Sequence, residues 1–232
     1  MQLTVNTCRA PEAREDCRRN AGACLAVLQR YGIAGITSAR QEWWTDRETF
    51  ALLLRDRETG EHMGGVRLQR WGSGVPLPIE CALEGIDGRA RAWVAGFAGR
   101  GVGELCGLWR SPRLRGFGVG SRLTSMGIAL AAQARTNTLL GVCDTRNLTV
   151  NLRLGFQRDL TLASEGTFEY PNPGLRAHIL RVDGACDGLS DASPEVRSCI
   201  GHYRDEPVGT ETLSVDERRL VIVRDLTLMG ES

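Results

Sequence analysis

Hydrophobic side chains recur at helical spacing in the first part of the chain. Over residues 10–31 they stand three and four positions apart, which is typical of an amphipathic helix, and Gly32 ends the pattern. The predicted buried face of this helix consists of Cys17, Ala21, Cys24, Leu25 and Leu28. Two apolar runs follow at 50–54 and 65–68, separated by charged residues and Gly60. They predict a β-hairpin whose turn uses Gly60 at a positive φ.

The middle of the chain predicts a βαβ unit. Buried strands are predicted at 104–109 and 138–143, and helices at 121–134 and 148–154. Strands and helices that alternate at this spacing favour a parallel pairing of the two strands. Before this unit, the residue pattern predicts a loop and then a helix interrupted by glycines, at 72–78 and 81–97.

The last third of the chain is rich in strand-like segments. The pattern predicts strands at 167–170, 177–182 and 219–228. Residues 183–210 are rich in Gly, Ser, Pro and Asp and predict a long excursion with one helix at 194–202. No repeat or linker divides the chain, so we expect one domain over 1–232, with a donor-binding core at about 50–182 and an extension at 183–232.

Composition and charge exclude several classes of function. The chain has 29 basic and 28 acidic residues and a net charge of +1, so neither nucleic acid nor an anionic membrane is a predicted partner. Every basic residue is arginine, and the lack of lysine excludes P-loop, Schiff-base and lysine-nucleophile chemistry. No apolar run approaches the roughly 18 residues that cross a bilayer, and the N-terminal residues are too charged for a signal peptide.

The cysteines and histidines predict neither disulfides nor a metal site. Eight cysteines are spread along the chain without a C-x-x-C pair, and the three histidines lie far apart in sequence. Without a signal peptide, such cysteines are typical of reduced thiols in a cytoplasm. We therefore expect a cytoplasmic protein without a structural zinc ion.

The strongest chemical signal is the glycine-rich segment 115–120, Arg-Gly-Phe-Gly-Val-Gly, directly before the helix that begins near Ser121. Small residues allow backbone N–H groups to point at an anion, and a helix N-terminus adds positive potential. Arg115 and Arg113 can add charge-assisted contacts. The segment therefore predicts a cradle for pyrophosphate, with a ligand-free connector as the alternative. A dinucleotide-binding G-x-G-x-x-G turn fails, because its third glycine falls on Leu123.

Arg115, Gly118 and Gly120 stand in the order (Q/R)-x-x-G-x-(G/A). This order resembles the acetyl-CoA-binding motif of the GCN5-related N-acetyltransferase (GNAT) superfamily. Further along, Asn147 and the ending Leu-Gly-Phe at 154–156 are similar to later signatures of the same superfamily. The combination of these segments is much more specific than any one of them.

The resemblance covers about 50–182 and implies an α/β fold of the GNAT type, with a mixed, curved central sheet that helices flank. It implies a split between the two central strands with CoA wedged into it, and acetyl-CoA or a longer acyl-CoA as the acyl donor. Backbone N–H groups near Leu108 and Trp109 would then polarise the thioester carbonyl. The donor-binding residues that it implies are Leu108, Trp109, Arg110, Arg115, Gly116, Phe117, Gly118, Val119, Gly120, Ser121 and Asn147.

Three short segments carry a second resemblance: Gly-Gly-Val-Arg-Leu at 64–68, Pro-Leu-Pro at 76–78 and Glu-Leu at 104–105. Their order is similar to that in acyl-homoserine-lactone synthases and N-acyl amino acid synthases, which share the fold and often take acyl chains from acyl carrier protein. An N-terminal aromatic and acidic pattern of those families is loosely matched by Trp43, Trp44 and Asp46. They have arginine where this chain has Gly107. The resemblance implies an acyl chain longer than acetyl, for which the small Gly107 leaves room.

Direct acyl transfer from a thioester to an amine needs a neutral amine and a proton for the departing thiolate. Glu104 opens an otherwise apolar strand, where a partly buried carboxylate is suited to act as general base; a solvated or arginine-paired glutamate is the alternative. The tyrosine acid of the GNAT superfamily falls on Asn151, which supplies no proton. Cys143, Tyr170 and water stay open as the acid. Cys143 as a nucleophile lacks a histidine nearby in sequence and is more typical of a core thiol.

Three side chains are predicted to bind the acyl acceptor: Trp43, Arg67 and Tyr170. An aromatic side chain at such a position lines a pocket or packs in the core. Arg67 can bind a carboxylate through two parallel hydrogen bonds, and an exposed or ion-paired arginine is the alternative.

The sequence thus predicts an enzyme that transfers an acyl group from acyl-CoA to the amine of a small molecule by direct attack on the thioester. One alternative is a synthase that takes its acyl chain from acyl carrier protein and forms an N-acyl amino acid or an acyl-homoserine lactone. The other is a non-catalytic acyl-CoA sensor, which Asn151 keeps open because it removes the usual acid.

Overall fold

A mixed β-sheet runs through this computed structural model, which describes residues 1–33, 35–40, 42–187, 189 and 192–228, with the backbone alone for Arg40. The strands are β1 (Gln2–Arg9), β2 (Thr49–Asp56), β3 (His62–Arg70), β4 (Val102–Arg110), β5 (Thr138–Asp144), β6 (Gln157–Arg158), β7 (Thr167–Glu169), β8 (Arg176–Val182), β9 (Val208–Val215) and β10 (Arg218–Asp225). The helices are α1 (Arg14–Arg30), α2 (Thr37–Arg40), α3 (Pro78–Ala82), α4 (Ala90–Ala95), α5 (Val119–Gln133), α6 (Thr145–Arg153) and α7 (Pro194–Asp205). Turns of 3₁₀ helix lie at Ala10–Ala13, Trp43–Thr45, Ala98–Arg100 and Pro112–Leu114.

Within these described ranges, the strands are ordered β6-β8-β5-β4-β3-β2-β1-β10-β9, and β7 pairs with β8. β4 and β5 are parallel, as the βαβ pattern predicts, and β1 is parallel to β10, while the other neighbouring pairs are antiparallel. The predicted hairpin is β2–β3, and Gly60 in its turn has a φ of +71°. The predicted α/β fold, a mixed sheet that helices flank, is confirmed.

The larger hydrophobic core lies between the sheet and the two helices α5 and α7. The predicted face of α5 is buried there, with Leu123, Met126 and Leu130 at most 2% exposed. Gly127 allows α5 to lie close to β4, because a Cβ at this position would stand 2.6 Å from Leu105 Cδ1. This contact holds the middle of α5 against β4.

The predicted N-terminal helix differs from the structure in its start and in its buried face. Residues Ala10–Ala13 form a 3₁₀ turn, and the side chains that α1 buries fully are Cys17 and Asn20, whereas Leu25 is 41% exposed. Asn20 faces inward because its side-chain amide accepts from Trp109 Nε1 and donates to the Gly64 carbonyl. The rest of the predicted face agrees with the structure, since Cys17 is buried and Ala21, Cys24 and Leu28 are half-buried. Hydrogen bonding to β3 and β4 thus adds a polar residue to that face.

The predicted interrupted helix at 81–97 is two separate helices. α3 ends at Ala82 and α4 begins at Ala90, with a turn through Gly85 at a φ of +81° between them. The loop predicted at 72–78 ends one residue earlier, since Pro78 is the first residue of α3. Both helices belong to a second apolar cluster on the face of the sheet opposite α5.

Three strands escaped the prediction from sequence: β1, β9 and the two-residue strand β6. β1 lies between β2 and β10 and buries Leu3 and Val5, and β9 begins at Val208 within the predicted excursion and buries Leu213; both have few large apolar residues. The predicted helix at 194–202 and strand at 219–228 are present as α7 and β10. Side chains of the C-terminal region enter the main core, namely Ile200, Tyr203, Leu213, Leu220 and Ile222. In the part of the chain that the structure describes, no helix is long and apolar enough to span a membrane.

Candidate functional site

The sheet is split between its two central strands. β4 and β5 pair over three positions, from Val102 opposite Thr138 to Glu104 opposite Leu140, and the described pairing stops there. Beyond Glu104, β4 continues to Arg110 along β3, while β5 continues along β8. Such a split leaves backbone N–H and C=O groups of both strands without a sheet partner on that side. It is the opening that the GNAT resemblance implies.

The glycine-rich segment lies at the end of β4, where the split opens. Gly116 and Gly118 have φ values of +92° and +68°, which only glycine adopts freely. Gly118 is the N-cap of α5, and no side chain caps the helix there. The N–H groups of the first turn, at Val119, Gly120 and Ser121, have no intrahelical acceptor by geometry. The segment thus has the backbone shape that an anion cradle requires.

Arginines surround this segment, and one of them was not predicted. Arg115 is exposed, and its carbonyl accepts from Arg218 Nη2 at 3.4 Å. Arg218 belongs to the β9–β10 hairpin, and its guanidinium stands 4.9 Å from the ring centre of buried Phe117. Arg113 instead pairs with Glu61 on the surface, with Nη1 3.1 Å from Oε2. No local sequence pattern connects Arg218 with the glycines, because they are about 100 residues apart.

The remaining predicted donor contacts lie on either side of the split. On β4, Leu108 is 45% exposed and Arg110 half-buried, while the Trp109 side chain is buried and donates through Nε1 to Asn20 Oδ1 at 3.0 Å. On α6, Asn147 is exposed and its Nδ2 donates to Asp144 Oδ1 at 2.9 Å. The indole of Trp109 is therefore a structural group.

Glu104 is a buried carboxyl group at the point where β4 and β5 separate. It is 2% exposed, and its Oε2 accepts from the Ile79 N–H at 2.7 Å. Burial raises the pKa of Glu104 to about 8, and the Ile79 hydrogen bond and the charge of Arg67 oppose that rise. The alternatives of a solvated or ion-paired glutamate are wrong, because the carboxyl group is enclosed and forms no salt bridge within the described residues.

Arg67 is a buried guanidinium on the same face of the sheet, where it pairs with Cys106, two residues along β4 from Glu104. It is 4% exposed, Nη1 donates to the Ser38 carbonyl at 2.8 Å, and the guanidinium carbon stands 4.9 Å from the Trp43 ring centre. Among the described residues, Nε and Nη2 have no acceptor. A buried cation with two free donors is unfavourable unless a ligand satisfies them.

From the sequence, the small Gly107 is expected to leave room for a longer acyl chain. In the structure, that room is taken by the side chain of Arg67. Gly107 has a φ of +63°, and a Cβ there would stand 3.0 Å from Arg67 Nη1. The guanidinium of Arg67, on β3, therefore fills the space beside Gly107 on β4. This arrangement follows from the irregular pairing between Gly65 and Arg67, where β3 and β4 shift register.

Tyr170 is connected to Glu104 through a short series of hydrogen bonds. The Tyr170 hydroxyl accepts from the Thr37 N–H at 2.7 Å and lies 2.8 Å from Thr37 Oγ1. Thr37 Oγ1 in turn donates to the carbonyl of Pro78, which precedes the Ile79 N–H on Glu104. Burial raises the pKa of Tyr170, and the nearby charge of Glu104 adds to the rise. The structure thus brings Trp43, Arg67, Glu104 and Tyr170 to one face.

The other candidates have mainly structural roles. Burial raises the pKa of Cys143 to about 12, so the thiol is protonated at neutral pH and packs against the main core. Asn151 lies on α6 and donates to the Asn147 carbonyl at 2.9 Å. Trp44 packs edge-on against Trp43, with ring centres 5.8 Å apart. In the part of the chain described, no three His, Cys, Asp or Glu residues form a group that could hold a metal ion.

Trp43, Arg67, Glu104 and Tyr170 form a buried set that lies outside a surface concavity of about 680 Å³. Its lining residues are Ile86, Asp87, Ala163, Ser164, Thr167, Phe168 and Glu169. The buried set lies instead under α2, whose Thr37 and Ser38 contact Tyr170 and Arg67. Two further polar residues of the set, Gln69 and Ser38, were not predicted. The alternation of Arg67 and Gln69 with apolar Leu68 along β3 was the available signal for Gln69.

Comparison with known proteins shows the fold. No protein-family model and no curated protein matches the chain by sequence. Among solved structures, FeeM, an N-acyl amino acid synthase from uncultured soil microbes, is 15% identical, with a TM-score of 0.60 over 84% of this chain and 97% of that chain. BjaI, a CoA-dependent acyl-homoserine lactone synthase solved with SAM and isopentyl-CoA, is 13% identical, with a TM-score of 0.52 over 82% and 88%. TofI, solved with an inhibitor and MTA, is 16% identical, with a TM-score of 0.53 over 84% and 100%. The chain therefore shares its fold with FeeM and BjaI, an N-acyl amino acid synthase and an acyl-homoserine lactone synthase, as the second resemblance implies.

Proposed function

We propose that this protein is an N-acyltransferase that moves an acyl group from acyl-CoA to the amine of a small molecule carrying a carboxylate. The observation that carries the proposal is the enclosed pair of Glu104 and Arg67. Glu104 has a pKa of about 8, and Arg67 keeps two buried N–H donors without an acceptor. A base that titrates near neutral pH beside an unsatisfied cation fits the deprotonation of an amine whose own carboxylate is held nearby.

The split and the glycine-rich segment support the donor part of the proposal. We assign the pyrophosphate of CoA to the backbone N–H groups of Gly116–Ser121, with side chains of Arg115 and Arg218 beside them. The thioester then lies along the free edge of β4, where the backbone N–H near Leu108 polarises its carbonyl. Arg110 on β4 and Asn147 on α6 stand at the rims of the split and complete the predicted donor contacts. BjaI, which has the same fold, is named as CoA-dependent.

The acceptor part rests on Arg67. Its free Nε and Nη2 can donate two parallel hydrogen bonds to one carboxylate, which is the arrangement that arginine forms best. Trp43 holds the guanidinium through its ring face and limits its rotation. We therefore propose amino acids as the class of acceptor. FeeM, with the same fold, is named as an N-acyl amino acid synthase.

The reaction requires a proton to leave the amine and another to reach the thiolate. Glu104 takes a proton from the acceptor ammonium, the neutral nitrogen attacks the thioester carbon, and the C–N bond forms as the C–S bond breaks. The enclosed site strengthens the contacts to the developing oxyanion. The thiolate takes its proton from Tyr170 or from water, since Asn151 offers no acid. The second proton that the nitrogen loses as the amide forms replaces the one that Tyr170 or water has given up, and the proton on Glu104 goes to solvent.

Two alternatives share the geometry. A synthase that takes its acyl chain from acyl carrier protein would use the same Glu104 and Arg67, and the exposed Arg115 and Arg218 would face the acidic carrier. A non-catalytic sensor would keep the glycine-rich segment but has no use for a buried base beside an unsatisfied arginine.

The free cysteines suit a reducing cytoplasm, where we place the protein.

The proposal is tested by incubating the purified protein with octanoyl-CoA and each of the twenty common L-amino acids. Release of free CoA thiol and the mass of the N-octanoyl product are measured. Arg67→Met is assayed in parallel, with each amino acid compared with its decarboxylated amine. We expect wild type to prefer the amino acid and Arg67→Met to lose that preference by a factor of ten or more. Absence of any N-acyl product from wild type contradicts the proposal.

Mass spectrometry of the protein under native conditions identifies the donor. A co-purifying acyl-CoA, or turnover with octanoyl-CoA alone, supports CoA as the donor. Turnover that requires octanoyl-acyl carrier protein in place of octanoyl-CoA favours the synthase alternative.

A further inference from the structure

Gln69 is a polar side chain that the described chain leaves unsatisfied. It lies on β3, is 0% exposed, and donates only a long hydrogen bond of 3.4 Å from Nε2 to the Pro76 carbonyl. Within the described residues, no donor reaches its Oε1. A buried carbonyl-type acceptor without a donor is unfavourable and is explained when a ligand or water supplies the missing hydrogen bond.

The register of the sheet places Gln69 beside Glu104. The two residues are directly opposite each other on β3 and β4, and Arg67 is directly opposite Cys106, two residue pairs along and on the same face of the sheet. Opposite residues on antiparallel strands share a face, with Cβ atoms about 4.5–5.5 Å apart. The side chains of Gln69 and Glu104 therefore lie side by side on one buried face of the sheet, and the side chain of Arg67 lies on the same face.

The polar groups on this buried face are of two kinds, hydrogen-bond donors and hydrogen-bond acceptors. Arg67 has donors only, and its free Nε and Nη2 require an acceptor such as a carboxylate. An ammonium group has three N–H donors and no acceptor, so when buried it requires several acceptors. One oxygen of Glu104 already accepts from the Ile79 N–H, which leaves its other oxygen for the amine. Gln69 Oε1 is the unpartnered buried acceptor beside it.

We infer that Gln69 binds the amine of the acyl acceptor, with Oε1 accepting one hydrogen bond from the ammonium next to Glu104. This inference rests on the proposed function and names a substrate-binding residue for it. When Glu104 removes one proton, the hydrogen bond to Gln69 keeps a second N–H fixed. The nitrogen lone pair that forms is thereby held in one direction, toward the thioester.

The inference is tested with Gln69→Met, which keeps the length of the side chain and removes the acceptor. The control is Gln133→Met, because both ends of the Gln133 amide are bound to backbone, at Leu226 and Leu228, and the residue ends α5, which packs on the face of the sheet opposite Gln69. KM and kcat are measured with octanoyl-CoA and the amino acid that wild type acylates fastest. The inhibition constant of the matching 2-hydroxy acid, which has a hydroxyl in place of the amine, is measured as well.

Gln69→Met is expected to raise KM for the amino acid tenfold or more and to leave KM for octanoyl-CoA within twofold of wild type. The inhibition constant of the hydroxy acid should change less than threefold, because a hydroxyl has one proton and Glu104 accepts it. A merely structural glutamine would weaken both ligands alike. Gln69→Asn, which withdraws the carbonyl by one methylene, should show the same selectivity and serves if Gln69→Met fails to fold.

An unchanged KM for the amino acid in folded Gln69→Met or Gln69→Asn overturns the role of Gln69. Equal weakening of amino acid and hydroxy acid also overturns it. Both results leave the proposed function standing, since wild type is turning over. If wild type itself forms no N-acyl product with any amino acid, the proposed function fails and this inference fails with it.

Discussion

The guanidinium of Arg67 occupies the space that a side chain at Gly107 would need. Nη1 of Arg67 stands 3.0 Å from the ideal Cβ position at residue 107, and the φ of Gly107 is +63°. Any other residue there would adopt a strained backbone and press on the guanidinium at the same time. The two residues thus act together: glycine on β4 makes room for an arginine on β3.

Gly107→Ala is expected to weaken acceptor binding. The new methyl group should displace the guanidinium and raise KM for the amino acid tenfold or more, while left-handed strain lowers the free energy of unfolding by about 1–2 kcal/mol. Gly60→Ala is the matched control, because Gly60 has a similar φ of +71° and no heavy atom within 4 Å of its Cβ position. It should lose similar stability and keep the wild-type KM. Equal KM values for the two variants would show that Arg67 does not depend on Gly107.

The contact between α1 and the sheet predicts a loss of stability in Asn20→Leu. This variant leaves the Trp109 Nε1–H without an acceptor and the Gly64 carbonyl without its 2.9 Å donor. The free energy of unfolding, measured by urea titration, should fall by about 1–3 kcal/mol. Gln29→Ala on the exposed side of α1 should change it by less than about 0.5 kcal/mol. A loss in Asn20→Leu no larger than in the control would mean that these hydrogen bonds contribute nothing net.

Gly118→Glu tests the glycine-rich segment. A carboxylate at the N-cap of α5 would place negative charge where the pyrophosphate is proposed to bind, and its Cβ would stand 3.0 Å from Arg122 Nη1. Calorimetry should detect no binding of CoA to this variant. Gly85→Glu has a similar φ of +81° and open space around it, so it should bind CoA like wild type. Unchanged CoA affinity in folded Gly118→Glu removes the basis for the cradle.

The length of the acyl chain is predicted to affect donor affinity. Apolar side chains line β5 and its neighbours beside the split, with Leu140, Val142 and Phe168 in one cluster. Each buried methylene contributes about 0.8 kcal/mol, so four extra carbons should favour the longer donor by about 3 kcal/mol before ordering costs. Competition binding from acetyl-CoA to decanoyl-CoA should therefore show rising affinity. A flat or falling series would indicate an acetyltransferase, in which Arg67 leaves no room for a chain.

The fold could be predicted from sequence where the hydrophobic pattern was regular. The β2–β3 hairpin, the β4–α5–β5 unit and α7 follow from periodicity and from glycines at their ends. β1 and β9 could not be predicted in this way, because their burial depends on pairing with β10, a strand far away in sequence. Sequence periodicity contains no information about such partners until the sheet has formed.

The sequence identified most residues of the candidate site, but it did not predict which of them contact one another. Glu104, Arg67, Trp43 and Tyr170 were singled out separately, and the structure brings them to one face. That Gly107 would be filled by Arg67 could not be predicted, since it depends on the local shift of register between β3 and β4. Gln69 escaped notice because the predicted strand ended at residue 68, and polar residues that alternate with apolar ones are typical of an exposed face. Its burial depends on the segment before α3, where the Pro76 carbonyl accepts from Gln69 Nε2.

The most direct test of the account is the pH dependence of kcat/KM for N-acyl transfer in wild type and Glu104→Gln. Glu104 is active as the carboxylate, and burial raises its pKa to about 8, so the wild-type rate should rise with pH and level off above that value. Glu104→Gln keeps the shape of the side chain and should bind donor normally, but its rate should fall about 100-fold or more, without the titration near pH 8. A Glu104→Gln rate close to wild type, with the same pH profile, would contradict the assignment of Glu104 as the base.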